Sequence, residues 1–396
     1  MKKRLLYDAL IKQIQHKNTL VITGMRQIGK TTLMRQLFDA ETSRHKLWFD
    51  LDNPLDQKIF ESTDYRAIHE RLVAMAGSAG RPLFVCIDEI QNHPQITKVI
   101  KYLMDHFGVK FIVTGSSSFY LKNLFPESLA GRKFLYELTP LRFREFLYFH
   151  DAIARDAAQR PALDTFLRLP SDSVLPHQRE ALYEQYLAFG GFPEVVLTPD
   201  TETKKLILKN IFAGFFEKDL HILSDYKDIR ELRDILILLV PRVGSMLDIT
   251  KLAGELGVER AKIYGYLAFL EKTFFISLIP KYSMSVDRVV AGGKKLYFSD
   301  TGILTTIGPV NMGQLVENAV INDLREYGPV SFYNKRNSAK IDAIVDGKAA
   351  IEIKLAGSPK DSDKLDRLAS SIHVRQTLVV SRKIINHPGI ISPTLI

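Results

Sequence analysis

The chain has one cysteine, Cys86, and one tryptophan in 396 residues. A single cysteine excludes an internal disulfide and fits a reducing compartment. It stands inside "PLFVCID" and reads as a small buried hydrophobe. No apolar run reaches the roughly 18 residues that a bilayer-crossing helix needs, so no membrane span is expected. The opening "MKKRLLYDALIKQIQ" is basic and then turns amphipathic, without the apolar core of a signal peptide, and the cytoplasm is the expected location. Internal repeats and low-complexity tracts are lacking too, which argues against a solenoid or a disordered linker protein.

What is present is ordinary for a globular chain: 46% hydrophobic and 25% charged residues. Lys and Arg number 54 against 45 Asp and Glu, a net charge of +9. That excess suits a polyanionic partner, nucleotide or nucleic acid, although spread over this length it also suits a merely basic soluble protein. The length accommodates about two to four domains.

From Thr19 to about Phe149, the apolar runs "TLVITG", "HKLWFDLD", "PLFVCIDEI" and "KFIVTGSS" alternate with helical patterns. Strands that are apolar on both faces and separated by helices predict a parallel sheet covered on both sides. The periodicity is helical from about Pro161 to Tyr226, interrupted by the tight loop "GGFPEVV". A compact helical unit ending in short strands follows. Beyond Gly313 come one helix, "GQLVENAVINDLREYG", and strands at "SFYNKR", "KIDAIVD", "AAIEIKL" and "QTLVVS". The expected domains are an α/β core over 1–150, a helical segment over 151–227, a compact helical unit with short strands over 228–305 and an α/β domain over 306–396.

"LVITGMRQIGKTTLMRQLF" carries Gly24-x4-Gly29-Lys30-Thr31, a Walker A pattern placed between an apolar strand and a helix. The two glycines let the backbone curl so that amides of Gly24, Met25, Arg26, Gln27, Ile28 and Gly29 turn toward phosphate oxygens. The helix beginning at Lys30, Thr31 and Thr32 adds its positive end. Lys30 is expected to reach the β- and γ-phosphates of ATP, and the Thr31 hydroxyl to ligate Mg2+. The strand of "PLFVCIDEIQ" ends in Asp88-Glu89, a matching Walker B. Asp88 is expected to hold Mg2+ through water and Glu89 to polarise the attacking water. Because neighbouring strand residues face apart, Glu89 must sit where the chain bends. A third strand ends in Thr114-Gly115-Ser116, polar residues suited either to sensing the γ-phosphate or to a simple turn. Downstream, Arg132 reads either as a catalytic arginine reaching a neighbouring subunit's nucleotide or as a structural arginine on a local carboxylate.

"DITKLAGELGVERAKIYGYLAFLEKT" has helix-turn-helix spacing, Ala253-x3-Gly257-x5-Ile263. Its second helix is expected to present Glu259, Arg260, Lys262 and Tyr264 outward. "FFISLIP" and "KKLYFSD" would form a wing, with Arg288, Lys294 and Lys295 near Gly-Gly for contacts to a nucleic-acid backbone. Docking to protein is the alternative use of such a unit, and Glu259 at the tip would repel phosphate.

Near the end, "KIDAIVDGKAAIEIKLAG" sets Asp342 and Glu352-Ile353-Lys354 in the acidic, acidic-x-lysine pattern of metal-dependent nucleases. That chemistry needs Asp342 and Glu352 on one face with Glu317 of the preceding helix, together holding Mg2+, and Lys354 orienting a water. A two-residue turn at Asp346-Gly347 would send Asp342 to the apolar side. A three-residue loop shifts the pairing by one and joins Asp342 to the face of Glu352. Patterning favours the second register; charges lining a solvated sheet face remain the alternative.

In "GMRQIGKTTL", "IDEIQ", "TGSSS", "SLAGR", "PLRFREFL", "GGFPE", "LYFSDTGI" and "VENAV…IEIKLA" the chain resembles AAA-type ATP-binding proteins of bacteria and archaea that pair an N-terminal ATPase with an uncharacterised C-terminal domain. Where that family often has proline after the first glycine, this chain has Met25. The resemblance implies an α/β fold: a P-loop AAA+ parallel sheet with helices on both faces, a helical and winged-helix region, and a C-terminal restriction-endonuclease-like domain of the PD-(D/E)xK type. Three functions stay open. One is an ATPase that moves a DNA-engaging C-terminal module. Another is a nucleotide switch in a homo-oligomer or other protein assembly, with a degenerate nuclease fold for docking. The last is an ATP-regulated, Mg2+-dependent nuclease.

Overall fold

The structure, a computed structural model, describes residues 1–77, 82–93, 95–115, 131–169, 174–216, 226–283, 292–335 and 339–396. The chain divides into two compact units, Met1–Thr139 with Lys272–Phe274, and Pro140–Glu271 with Phe275–Ile396. The boundary expected at 150 lies beyond Thr139, and those expected at 227 and 305 lie inside the second unit.

The first unit is built on a five-stranded sheet of β1 (Thr19–Thr23), β2 (Lys46–Asp50), β3 (Phe84–Asp88), β4 (Lys110–Gly115) and β5 (Lys133–Glu137), in the order β2-β3-β4-β1-β5. All four pairings are parallel, with helices flanking the sheet on both faces. Val21, Val85, Ile87, Phe111 and Val113 share a fully buried cluster with Ile68 and Leu72 of the helix Tyr65–Ala76 and Ile96, Val99, Ile100 and Leu103 of the helix Ile96–Phe107. Their spacing of two along each strand puts them on one face. The helix Lys30–Ala40 packs against β1, β3 and β4 with Leu33, Met34 and Leu37 buried. Cys86 is fully buried on β3, as its apolar context predicts. Consecutive strands β2, β3 and β4 lie to one side of β1 and β5 to the other, so the carboxyl end of β1 is a topological switch point, where open α/β sheets bind ligands.

The second unit contains a helical region, a two-stranded antiparallel ladder and a mixed sheet. The helices Ile249–Leu256 and Arg260–Lys272 are joined through Gly257, which is left-handed at φ 68°. Asp248 caps the first by accepting from the Lys251 amide at 3.0 Å, and Ala253 and Ile263 are buried where helix-turn-helix spacing requires it. The ladder pairs β6 (Ile276–Ile279) with β7 (Lys295–Phe298). The C-terminal sheet has β8 (Val330–Lys335), β9 (Ala339–Val345), β10 (Ala349–Lys354), β11 (Gln376–Ser381) and β12 (Ile390–Ile391) in the order β12-β11-β10-β9-β8. Pairs β8–β9 and β9–β10 are antiparallel, and β10–β11 and β11–β12 parallel. The helix Pro359–Ser371 makes the crossover from β10 to β11, and its Leu365 and Ala369 join Ile344, Ala350 and Val379 in the core.

The β9–β10 hairpin adopts the three-residue loop. Val345 lies opposite Ala349 and Ala343 opposite Ile351. Asp346 and Gly347 both have positive φ, 51° and 66°, and the Lys348 amide donates to the Val345 carbonyl at 2.9 Å. The β8–β9 register shifts by one between Ser331 and Tyr333, against Asp342 and Ala343 of β9. Such a bulge re-aims the side chains beside it.

Candidate functional site

At the carboxyl end of β1 the chain turns at Gly24, whose φ is +142°. A Cβ there would meet the Leu138 carbonyl oxygen at 2.2 Å, so glycine is the residue that lets the loop run against the end of β5. Gln27 and Gly29 also have positive φ, 60° and 92°. Gly29 stands at the N-cap of the helix beginning at Lys30 and supplies no capping side chain. Met25 and Ile28 are buried, Thr32 is half-buried, and Gln27 and Thr31 are exposed. Lys30 is buried, and its Nζ donates to the carbonyls of Gly24 at 3.0 Å and Met25 at 2.7 Å. The ammonium therefore lies within the loop. Arg4, which the sequence reading missed, braces the loop from behind: its guanidinium donates to the Ile28 carbonyl at 2.9 Å and the Thr139 carbonyl at 2.7 Å. Nothing in "MKKR" distinguishes it from the lysines beside it.

Asp88 ends β3 and is 3% exposed. Thr114, on the neighbouring β4, donates its hydroxyl to Asp88 Oδ1. The Glu89 amide donates to Asp88 Oδ1 at 3.1 Å and to Thr114 Oγ1 at 3.3 Å. Glu89 leaves the strand in the left-handed region, φ 53° and ψ 48°, the bend that frees its side chain from strand alternation. Gln91 Nε2 donates to its carboxylate. β4 lies between β1 and β3, so the glycine loop and Asp88 follow strands two spacings apart, about 10 Å. Ser116 and residues 128–130 of "SLAGR" lie outside the described residues.

Arg132 stands at the amino end of β5, opposite the edge that carries the glycine loop, and its Nε pairs with Asp105 Oδ1 at 2.8 Å. Of the two readings of this residue, the ion pair with a local carboxylate is what the structure contains.

In the helix-turn-helix unit Glu259, Arg260 and Tyr264 are exposed, as expected. Lys262 is not free on that face: its Nζ is 2.7 Å from Asp228 Oδ1 and 2.5 Å from Glu231 Oε2, both on the helix Tyr226–Leu239. Lys294 is exposed, and Arg288 lies outside the described residues. Lys295 departs from the wing reading, because it is 3% exposed and turned inward.

Its partners are the acidic residues of the predicted metal site. Lys295 Nζ is 3.2 Å from Glu317 Oε1 and 3.5 Å from Asp342 Oδ1. Tyr297 donates to Glu317 Oε1 at 2.7 Å. Asp342 Oδ2 accepts from the Ile353 amide at 3.1 Å, and Lys340 Nζ is 3.0 Å from Asp342 Oδ1. Lys354 pairs with Glu352 Oε1 at 2.7 Å. Burial pushes the Asp342 carboxyl up, but the ammonium groups of Lys295 and Lys340 outweigh it and hold it below the usual carboxylate range. Burial, then the charge of Asp342, raises Glu352. The fold thus brings Glu317, Asp342, Glu352 and Lys354 together, as the three-residue loop requires. Among the described residues, however, no group of three or more Asp, Glu, His or Cys side chains is arranged to hold a metal ion. The predicted Mg2+ ligands are ion-paired with lysines instead.

Three other sequence motifs meet in a buried polar junction. The Leu141 amide donates to the Gly191 carbonyl at 2.8 Å, and the Gly191 amide to Asp300 Oδ2 at 2.7 Å. Asp300 also caps the helix Thr301–Ile307 through the Ile303 amide at 3.0 Å, and Asp323 Oδ1 accepts from the Phe143 amide at 3.3 Å. Burial pushes Asp300 up to about 6 and Asp323 up to about 7. "PLRFREFL", "GGFPE" and "LYFSDTGI" hold backbone together here.

Residues 16–147 match the family model described as AAA domain, residues 180–314 a domain of unknown function (DUF8612) and residues 312–388 another (DUF4143). The chain is similar to an uncharacterized protein of Methanocaldococcus jannaschii, 29% identical over 352 residues, covering 86% of this chain and 75% of that protein. It is also similar to an uncharacterized protein of Haemophilus influenzae, 26% identical over 347 residues, covering 84% and 81%. Among solved structures it is similar to the Walker-type ATPase PABY2304 of Pyrococcus abyssi, with 13% identity, a TM-score of 0.49, and coverage of 76% of this chain and 94% of that one. The AAA-domain match spans the glycine loop, Asp88 and Thr114, and it supports an AAA-type ATP-binding domain in this part of the chain. No described helix is long and apolar enough to cross a membrane.

Proposed function

We propose that this chain binds ATP with Mg2+ at the end of β1, hydrolyses it, and couples its nucleotide state to a DNA-engaging C-terminal module. The observation that carries the nucleotide reading is the Thr114–Asp88–Glu89 hydrogen-bonded set at the sheet edge that also carries the glycine loop. The loop amides and the positive end of the helix that begins at Lys30 favour phosphate. Lys30, now donating to two loop carbonyls, would exchange them for phosphate oxygens. The Thr31 hydroxyl and Asp88 carboxylate would hold Mg2+, a sparse donor set that suits an ion taking its remaining ligands from phosphate and water. Mg2+, when bound, supplies charge neutralisation at the phosphates. Thr114 fixes the Asp88 carboxylate, and Glu89 orients and takes the proton of the attacking water. Arg132 would act only on the nucleotide of another subunit in a homo-oligomer, and its pair with Asp105 would first have to open.

The DNA part of the proposal rests on the exposed Arg260 and Lys294 and on the net charge of +9. A second reading, a nucleotide switch whose nuclease-like C-terminal domain docks without cutting, is favoured over an Mg2+-dependent nuclease by the lysine pairing of Glu317, Asp342 and Glu352. One assay tests these together: ATP turnover with and without plasmid DNA, with plasmid integrity followed in the same tube. Turnover changed by DNA that stays intact supports the proposal. Turnover indifferent to DNA, with no low-salt gel shift, supports the switch. Plasmid cleavage lost in Asp342→Ala establishes the nuclease.

A further inference from the structure

The carboxylates Glu317, Asp342 and Glu352 come from a helix and two strands of the second unit, and the cation between the first two is an ammonium contributed by β7. Lys295 is 3% exposed, and its Nζ lies 3.2 Å from Glu317 Oε1 and 3.5 Å from Asp342 Oδ1. These are ammonium–carboxylate distances, well beyond the roughly 2.1 Å of a magnesium–oxygen bond. Tyr297 also donates to Glu317 Oε1, the Ile353 amide donates to Asp342 Oδ2, Lys340 lies on Asp342 Oδ1 and Lys354 on Glu352 Oε1, while Glu352 Oε2 is buried without a hydrogen-bond partner. Lys295, Lys340 and Lys354 balance the three carboxylates, so the cluster has no excess negative charge left to draw a divalent ion. Expelling a buried ammonium from paired carboxylates would carry a large desolvation and pairing cost.

We infer that Lys295 is the resident cation of this site and stands in place of a metal ion. The chain uses it to tie β7 to the helix Met312–Leu324 and to β9, and the carboxylates become a divalent-cation site only when Lys295 is removed. The inference sharpens the non-cutting reading of the C-terminal domain. It rests on contacts within the second unit, so failure of ATP binding leaves it intact.

The test is Mn2+ binding by electron paramagnetic resonance on the nucleotide-free full chain. Lys295→Met is expected to bind one Mn2+ more than the wild type, and Lys295→Met with Asp342→Asn to lose it. Added Mn2+ should also raise the melting temperature of Lys295→Met and leave that of the wild type unchanged. A folded Lys295→Met that takes up no additional Mn2+ overturns the inference. Should that variant fail to fold, the wild type decides. Mn2+ binding to wild type that Asp342→Asn abolishes overturns the inference, and its absence supports it.

Discussion

The Thr114 hydroxyl on β4 donates to the Asp88 carboxylate at the end of β3, and the Glu89 amide donates to both residues. This ties the strand that lies beside β1 to the proposed Mg2+ ligand and to the proposed base. Thr114→Val keeps the shape and removes the donor. A hydrogen bond to a charged group contributes about 1.5–3 kcal/mol, and about 1.4 kcal/mol corresponds to a tenfold rate change. We expect Thr114→Val to lower ATP turnover at least about tenfold while ATP affinity changes little. Unchanged turnover would show that Asp88 is positioned without it.

Gly24 and Gly77 both have positive φ, yet only Gly24 faces a backbone oxygen where a Cβ would go. Gly24→Ala is expected to cost about 2 kcal/mol or more in the first unit, through backbone strain and overpacking, and to weaken ATP binding. Gly77→Ala, with nothing within 4 Å of the added carbon, should cost only the left-handed penalty of about 1–2 kcal/mol. Urea unfolding of both variants checks this, and equal losses would mean that the loop yields.

The pH dependence has a definite sign. Asp323 is raised from an ordinary 3.8 to about 7, chiefly by burial and against the pull of Arg142. Between those values the folded state holds a proton that the unfolded state has lost. This component of stability is therefore fully present below about pH 4 and is lost as pH rises through about 7. Asp300, raised to about 6, acts in the same direction. Asp323→Asn should flatten the fall in stability of the second unit between pH 5 and pH 8, followed by urea midpoints. A variant that keeps the wild-type slope would contradict the assignment.

The strands were legible where both faces are apolar. β1, β3 and β4 read directly from "TLVIT", "FVCID" and "KFIVTG", because a sheet covered on both sides leaves no polar face to confuse the period. β5 was not legible, because "KFLYE" lies at a sheet edge with only half-buried and exposed positions and so lacks the two apolar faces that mark the central strands. The hairpin register was readable from pattern, since a one-residue slip would have turned Asp342 onto the apolar side.

Lysine partners were not legible. Lys262 and Lys295 look like free surface cations in the sequence. Their carboxylates lie 31 and 34 residues away for Lys262 (Glu231 and Asp228) and 22 and 47 residues away for Lys295 (Glu317 and Asp342), a separation only the fold closes. A lysine on a strand amid apolar neighbours, as in "KLYF", was the available signal that Lys295 faces inward.

The phosphate loop is the centre of the proposed function. Isothermal calorimetry of ATP with Mg2+, wild type against Lys30→Ala, tests it most directly, with circular dichroism confirming that both are folded. We predict measurable binding by the wild type and its loss in Lys30→Ala. A folded Lys30→Ala that binds ATP as tightly as the wild type, or a wild type that binds none, would contradict the central claim.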